Sequence, residues 1–419
     1  MSKNPYLIDQ VVQNPDMFFG RREELALLQD QIRQGMSVAV VGMPRIGKSS
    51  LLFQFAYQTR RRSDSFVLVY LDLHDSRFHT VSGLLSMILK RIDVRTHRRY
   101  RFGHVRRMET FVQAIEQIHD DGFCVVLCLD EIDVLIKHSS FDRAFFEAWY
   151  QLSYEGKLLF VTASRDSLTE VMQYQNEPLP LADLFIQVRL ACLSQKESRV
   201  LLTQPFRRGR TQRILPPRYV QTALQLAGGH PYFLQMAGFL LWEHGAIEAT
   251  LWREKFIELA EHSLRQLWAE LSIEEQAVAS HIAGKSVTLP DGWENTQNHL
   301  LQRGVLQFND RGRLHLFTPL LVEWIKEGHL AEQTADAHRS DLAVDHVRPL
   351  SDANRTLLLS YMLISLLFAS TSTWVIWQFL FETTAYLLMT FVMSWLLILF
   401  VINQATQGKL LAWLKKWLK

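Results

Sequence analysis

Cysteine is scarce: the 419 residues contain three, Cys124, Cys128 and Cys192. That number excludes a disulfide framework, and none of the three has a His or Cys partner at metal-ligand spacing. Buried structural thiols in a reducing compartment are expected. The N-terminal stretch MSKNPYLIDQVVQNPD lacks the apolar h-region of a secretory signal, so none is expected there. No internal repeat is visible, which argues against a built-in solenoid sensor. An excess of one charge is missing as well. The 45 Lys and Arg nearly balance 43 Asp and Glu, for a net +2. Residues 404–419 hold four lysines and no acid, leaving about −2 for the rest. A uniformly basic nucleic-acid binder is excluded, though a local patch is not. At 48% hydrophobic and 21% charged residues, the chain is neither disordered nor collagen-like. Its length suggests about two to four domains.

Charge is almost absent from one region. Between Leu357 and Ile402 the single charged residue is Glu382. Leu357–Phe381 is long enough to cross a ~30 Å hydrocarbon core, and Thr383–Ile402 is just long enough to return. The expected structure is a two-helix transmembrane hairpin over 356–403; the alternative is a very apolar helix pair inside a soluble core. Arg348 and Arg355 precede the hairpin, and Lys409, Lys415, Lys416 and Lys419 follow it. By the positive-inside rule both flanks are cytoplasmic. The expected location is therefore the inner cell membrane, multi-pass, with the N-terminal bulk and the C-terminal tail in the cytoplasm. Ser360, Ser365, Ser370, Thr371, Ser372 and Thr373 crowd the first span. They suit close helix packing, or a wet pathway in an oligomer. The tail 404–419 sets Trp413 and Trp417 among lysines, as in an interfacial amphipathic helix on anionic lipid.

The rest of the chain divides by pattern. Residues 1–193 alternate helical segments with nearly continuous apolar runs. Those runs are Ser37–Val41, Phe66–Leu73, Cys124–Leu129, Leu158–Ala163 and Leu184–Leu190. Such runs predict parallel strands buried on both faces, hence an α/β nucleotide-binding domain. Residues 194–270 read as helical: Ser194 and Glu197 form a capping-box pattern, Pro216-Pro217 opens a helix, and Gly228-Gly229 closes it. Residues 271–327 read as a winged-helix unit. A capping box at Ser272 and Glu275 leads into two helices and then a hairpin around Asn309-Asp310-Arg311-Gly312. Residues 328–355 are polar and read as a linker.

One motif carries strong chemistry. Gly42-Met43-Pro44-Arg45-Ile46-Gly47-Lys48-Ser49 fits the G-x-x-x-x-G-K-[ST] pattern in full, between a predicted strand and a helical pattern that begins at Ser50. The glycines let backbone N–H groups turn around phosphate oxygens, and the helix N-terminus adds partial positive charge. Lys48 is placed to reach the β- and γ-phosphates, and Ser49 to hold Mg2+. The run Phe123–Leu129 ends in Asp130-Glu131. Asp130 is the expected second Mg2+ residue and Glu131 the general base for water. ATP or ADP with Mg2+ is the expected ligand.

These motifs have a family order. Phe18-Phe19-Gly20-Arg21-Arg22-Glu23-Glu24-Leu25 resembles the entry motif of the STAND class of AAA+-related ATPases, closest to the prokaryotic branch often called archaeal-type. The resemblance covers about residues 17–327. It implies that the segment around Gly20 and Arg21 lies against the adenine. Thr162-Ala163-Ser164-Arg165 looks like the sensor motif, which makes Arg165 the candidate γ-phosphate sensor. Gly229-His230-Pro231-Tyr232-Phe233-Leu234 resembles the lid motif whose proline packs on the base, which implicates Pro231. The family implies the sheet order 5-1-4-3-2 and a switch between a closed ADP form and an open ATP form. Two departures stand out. Thr318 occupies the position where relatives often place a histidine on the ADP β-phosphate; His315 lies nearby in the wrong register. A membrane hairpin replaces the usual long repeat domain.

Basic clusters complete the inventory. Lys90–Arg107 holds eight Lys and Arg against one acid, Asp93, with Tyr100 and Phe102 interleaved. It reads as solvated or subunit-contacting surface, as a lipid or acidic-partner surface, or as a nucleic-acid grip. Arg60-Arg61-Arg62 and Arg207, Arg208, Arg210 and Arg213 are smaller clusters of the same kind. The candidate recognition helix Glu294–Arg303 is poor in bases, so nucleic acid is not favoured there. The expected function is a membrane-anchored, slowly hydrolysing ATP switch that assembles as a homo-oligomer, answers a separate sensor protein and drives a pore-forming hairpin in defence or cell death. The alternative is a tethered ATPase that recruits DNA or protein clients.

Overall fold

The computed structural model describes residues 4–60, 65–97, 99–172, 179–208, 215–244, 249–309 and 311–327. All lie in the first of the two units into which the chain divides, Met1–Ala331. The expected linker, hairpin and tail lie outside the described residues. Among the described residues no helix is long and apolar enough to cross a membrane.

The first part of the chain runs α1 (Arg22–Arg33), β1 (Ser37–Val41), α2 (Lys48–Arg60), β2 (Phe66–Asp72), α3 (Val81–Arg95), α4 (Met108–Asp120) and β3 (Cys124–Asp130). It continues through α5 (Ile132–Lys137), α6 (Arg143–Tyr154), β4 (Leu158–Ser164), α7 (Leu168–Met172) and β5 (Phe185–Arg189). The five strands form one parallel sheet in the order β2-β3-β4-β1-β5, the expected order read from its other edge. Burial explains the order. Every residue of β1 and β4 is buried, and β3 is buried from its second residue on. The edge strands β2 and β5 keep exposed positions. Alternation then sorts side chains between two cores: Val38 and Val40 join one, Ala39 and Val41 the other.

The helical part is α8 (Gln195–Arg208), α9 (Pro217–Ala227), α10 (Pro231–His244) and α11 (Ala249–Ala269). Then come α12 (Ile273–Ile282), α13 (Trp293–Arg303), the antiparallel pair β6 (Leu306–Phe308) and β7 (Leu314–Leu316), and α14 (Pro319–Lys326). Both expected capping boxes form: Ser194 with Glu197, and Ser272 with Glu275. The sequence boundaries at 193 and 270 do not separate cores. One cluster contains Val38 and Val40 of the sheet, Phe233 of α10, Trp268 of α11 and Leu320 of α14.

The corner between α9 and α10 shows how closely these parts approach. Gly228 caps α9 with φ +59, and an added Cβ there lies 2.2 Å from the Phe317 carbonyl oxygen. The Thr318 hydroxyl donates to the Leu226 carbonyl and accepts from the Leu320 amide. Thr318 thus caps α14 and ties it to α9, buried away from any ligand. In the last block Glu275 is buried, accepting from Arg303 at 2.9 Å and paired with His299 at 2.8 Å. The two bases of α13 are therefore engaged by Glu275, Arg303 mostly buried and His299 half-buried.

Gly228→Ala is expected to destabilise the protein by about 3 kcal/mol or more, because backbone must move aside. Gly35, with φ +77 but open space around it, provides the control. Gly35→Ala should cost about 1 kcal/mol, the left-handed penalty alone. Urea unfolding followed by tryptophan fluorescence measures both; equal losses would refute the close-approach account.

Candidate nucleotide site

The P-loop sits between β1 and α2. Arg45 (φ +61) and Gly47 (φ +101) adopt left-handed conformations that wrap the loop around the start of α2. Lys48 is only 4% exposed. Its ammonium donates to the Gly42 and Met43 carbonyls at 2.7 and 3.0 Å. Burial lowers its pKa, opposed by the charges of Glu131, Asp130 and Asp133. Its direct partners among the described residues are these two backbone dipoles.

The acids come from the end of β3, which β4 separates from β1. Asp130 is buried and accepts from the Tyr70 hydroxyl at 2.9 Å. Burial raises its pKa, while the Ser49 and Tyr70 hydroxyls favour the anion. Its Oδ1 makes no hydrogen bond of normal geometry, although Ser49 lies close. An orphaned buried carboxylate oxygen beside a serine hydroxyl fits Mg2+, which binds through few protein oxygens and keeps water and phosphate for the rest. Glu131 caps α5 in a left-handed conformation (φ +57). Asp133 accepts from the Arg165 amide at 3.2 Å, and burial pushes its pKa up to about 6.

These groups open into a cavity of about 530 Å³. Arg21, Arg45, Ile46, Gly47, Lys48, Ser49, Ser50, Asp130, Glu131 and Pro231, all expected from sequence, line it. Gly20, Gly42, Met43, Pro44 and Arg165 do not. Gly20 and Gly42 shape the frame: an added Cβ would come 3.0 Å from Leu193 Cδ2 or from the Leu190 carbonyl, respectively. Met43 is buried toward Gly304. Pro44 backs His230, whose imidazole burial and the Arg21 charge keep neutral, with a pKa near 3. The Arg165 guanidinium pairs with Glu270 at 2.9 Å and lies 3.9 Å from Glu131.

Phe18 and Phe19 of the entry motif and Tyr232 of the lid motif also line it; other walls were not expected. The N-terminal segment contributes Leu7, Asp9, Gln10, Val11 and Val12. It is strapped down at both ends. The Tyr6 hydroxyl donates to the Leu202 carbonyl at 2.6 Å and the Leu7 amide to Gln235; the Val12 amide donates to Ser50, and Gln54 donates to the Val12 and Gln13 carbonyls. Asp72 and His74 line the opposite end. Asp72 stands in register with Asp130 on the next strand. Its signal was the same as that of Asp130, an acid closing an apolar run. Arg45 reaches across the cleft: it pairs with Asp9 at 2.9 Å, donates to Ser263 at 2.9 Å and Gln266 at 3.2 Å, and lies 4.4 Å above the Tyr232 ring.

The basic segment forms a separate, ordered surface. Val105 is buried and hydrogen-bonded to Ser82 and Ser86, and Asp93 accepts the Arg101 amide at 2.7 Å. Tyr100 and Phe102 stack on each other, ring centroids 5.2 Å apart, and pack on the core. They are not splayed out to receive bases. Arg95, Arg101, Arg106 and Arg107 remain exposed.

Because the folded state holds Asp133 protonated up to about pH 6, its stabilising protonation is complete below the unfolded value of about 3.8 and is lost as pH rises through 6. Asp133→Asn should therefore raise stability by about 1–3 kcal/mol at pH 8, with the gain vanishing near pH 4. Urea unfolding at both pH values measures this; a gain equal at the two refutes it.

The fold has parallels among known proteins. The Walker-type ATPase PABY2304 of Pyrococcus abyssi aligns at 16% identity with TM-score 0.57, covering 76% of this chain and 99% of that one. The Aeropyrum pernix ORC2 protein, solved as ADPNP–ADP complexes, aligns at 15% identity with TM-score 0.53, covering 79% and 98%. At such identities the likeness establishes a shared P-loop NTPase fold. No curated protein matches the sequence. The family model for Novel STAND NTPase 1 matches residues 11–317, well over half of the chain and the whole of the cleft beyond Gln10, and the chain belongs to that family.

Proposed function

We propose that the protein is a membrane-anchored switch that binds ATP with Mg2+, hydrolyses it slowly, and uses its nucleotide state to control assembly and a transmembrane effector. One observation carries the reading. A buried Lys48 and an orphaned Asp130 oxygen face one cleft beside Ser49 and Glu131. In this reading the P-loop amides and Lys48 take the β- and γ-phosphates. Ser49 and Asp130 hold Mg2+, which screens the phosphate charge. Glu131 accepts a proton from the attacking water. The Leu7–Val12 strap, Phe18, Phe19, Arg21 and Pro231 enclose the base.

The nucleotide is read out through α10 and α11, which hold Arg45, and from α11 into residues 271–327, read as a winged helix acting as a switch arm. A homo-oligomer then gathers the hairpins of 356–403 in the inner membrane, where they meet lipid and open a pore. A separate sensor protein supplies the trigger. The membrane part rests on the apolar run Leu357–Ile402 and its lysine-rich flank. A second reading is a tethered ATPase that recruits DNA or protein clients through the exposed arginines of the 95–107 segment. The self-stacked Tyr100 and Phe102 weigh against base recognition there.

Lys48→Ala should weaken ATP binding at least about 100-fold, whereas Glu131→Gln should bind normally and lose about 100-fold in turnover. Nucleotide titration and phosphate release measure these; hydrolysis that survives both changes would end the ATPase reading. Particle mass in detergent should jump in one nucleotide state for the wild type and not for Lys48→Ala. A mass unchanged in every state favours the tether.

A further inference from the structure

The end of α11 (Ala249–Ala269) meets the P-loop and the end of β4 through arginine side chains. Ser263, Gln266 and Glu270 are spaced by three and four residues, which stacks them on one side of a helix. Glu270 follows the last residue of α11, and its amide still donates to the Gln266 carbonyl at 3.2 Å. Ser263 and Gln266 hold Arg45 of the P-loop. Glu270 holds Arg165 at the end of β4. Arg45 and Arg165 are thus engaged by α11 and the residue that follows it, and the chain leads on through Leu271 and Ser272 into α12.

Arg165 has two carboxylates to choose from. Its Nη1 lies 2.9 Å from Glu270, while its Nε is 3.9 Å from Glu131, which lines the cleft. A change of side-chain rotamer carries the guanidinium from the first neighbourhood toward the second. A terminal phosphate beside Lys48 presents a stronger anion than either carboxylate.

Taking the cleft as the ATP site proposed above, we infer that Glu270 is a positioning residue that holds Arg165 away from the terminal phosphate, so that ATP, unlike ADP, must break the Arg165–Glu270 pair. Breaking it removes one of the contacts at the junction between α11 and α12. Glu270 then sets how strongly the site prefers triphosphate over diphosphate, although it touches neither.

The test uses the full chain and measures ATP and ADP affinities by displacement of a fluorescent nucleotide. Glu270→Gln keeps the shape and removes the charge. It should tighten ATP about two- to fivefold, the worth of a partly exposed ion pair, and leave ADP unchanged. In an Arg165→Ala background it should add nothing. A Glu270→Gln protein whose ATP and ADP affinities move together, or not at all, overturns the inference. So does a gain that survives without Arg165. A lowered melting temperature with an unchanged ATP-to-ADP ratio makes Glu270 a structural partner only, which also overturns it. Loss of binding in Lys48→Ala without a Glu270→Gln gain sinks this inference and leaves the ATP site standing. Wild-type binding in Lys48→Ala sinks both.

Discussion

A buried ammonium organises the cleft. Lys48 is buried, and its ammonium donates to two backbone carbonyls. Removing a charge from water costs several kcal/mol unless an opposite charge compensates. Asp130, Glu131 and Asp133 supply part of that compensation from across the cleft, without touching. The sheet order follows from this need. In the parallel sheet β3 and β1 flank β4, so the strand ends that carry the acids and the P-loop open on the same edge. An anionic ligand placed there would complete the unfinished ion pair.

The same field constrains what lies behind the loop. His230 sits in the core between the rings of Phe233 and Phe317, at 5.2 Å from each. With Arg21, Arg45 and Lys48 near, a fourth cation there would be repelled, and the imidazole stays neutral. The Gly228-Gly229 corner presses this layer against Phe317 and Leu193. A shift of the loop is therefore felt first by close-packed aromatic rings and backbone, materials that transmit displacement instead of absorbing it.

The strands were legible because their burial on both faces writes itself as uninterrupted Val, Leu and Ile. The phosphate loop was legible because its geometry demands glycine and lysine at fixed spacing. Capping boxes at Ser194 and Ser272 and the proline starts of α9 and α14 were equally local. What escaped was set by distance along the chain. Nothing in the sequence links Arg165 to Glu270, or Arg45 to Ser263, because those pairings exist only after α11 has packed. The Tyr6–Val12 strap has no period to read; its anchors are single hydrogen bonds to remote helices. Tyr100 and Phe102 looked like surface aromatics because they lie among arginines, yet the chain folds them onto each other. The apolar run Leu357–Ile402 is legible as composition alone.

The strap also sets a mechanical limit. Tyr6 is fastened among α8 and α10, with its ring filling the space where Gly238 lacks a side chain, while Val12 is fastened to α2. The six steps between them span at most about 20 Å when fully extended. While both anchors hold, the helical layer can swing from the P-loop only as far as this leash permits. A wider excursion would first have to unplug Tyr6, so the leash divides any opening into a cheap short stroke and a costly long one.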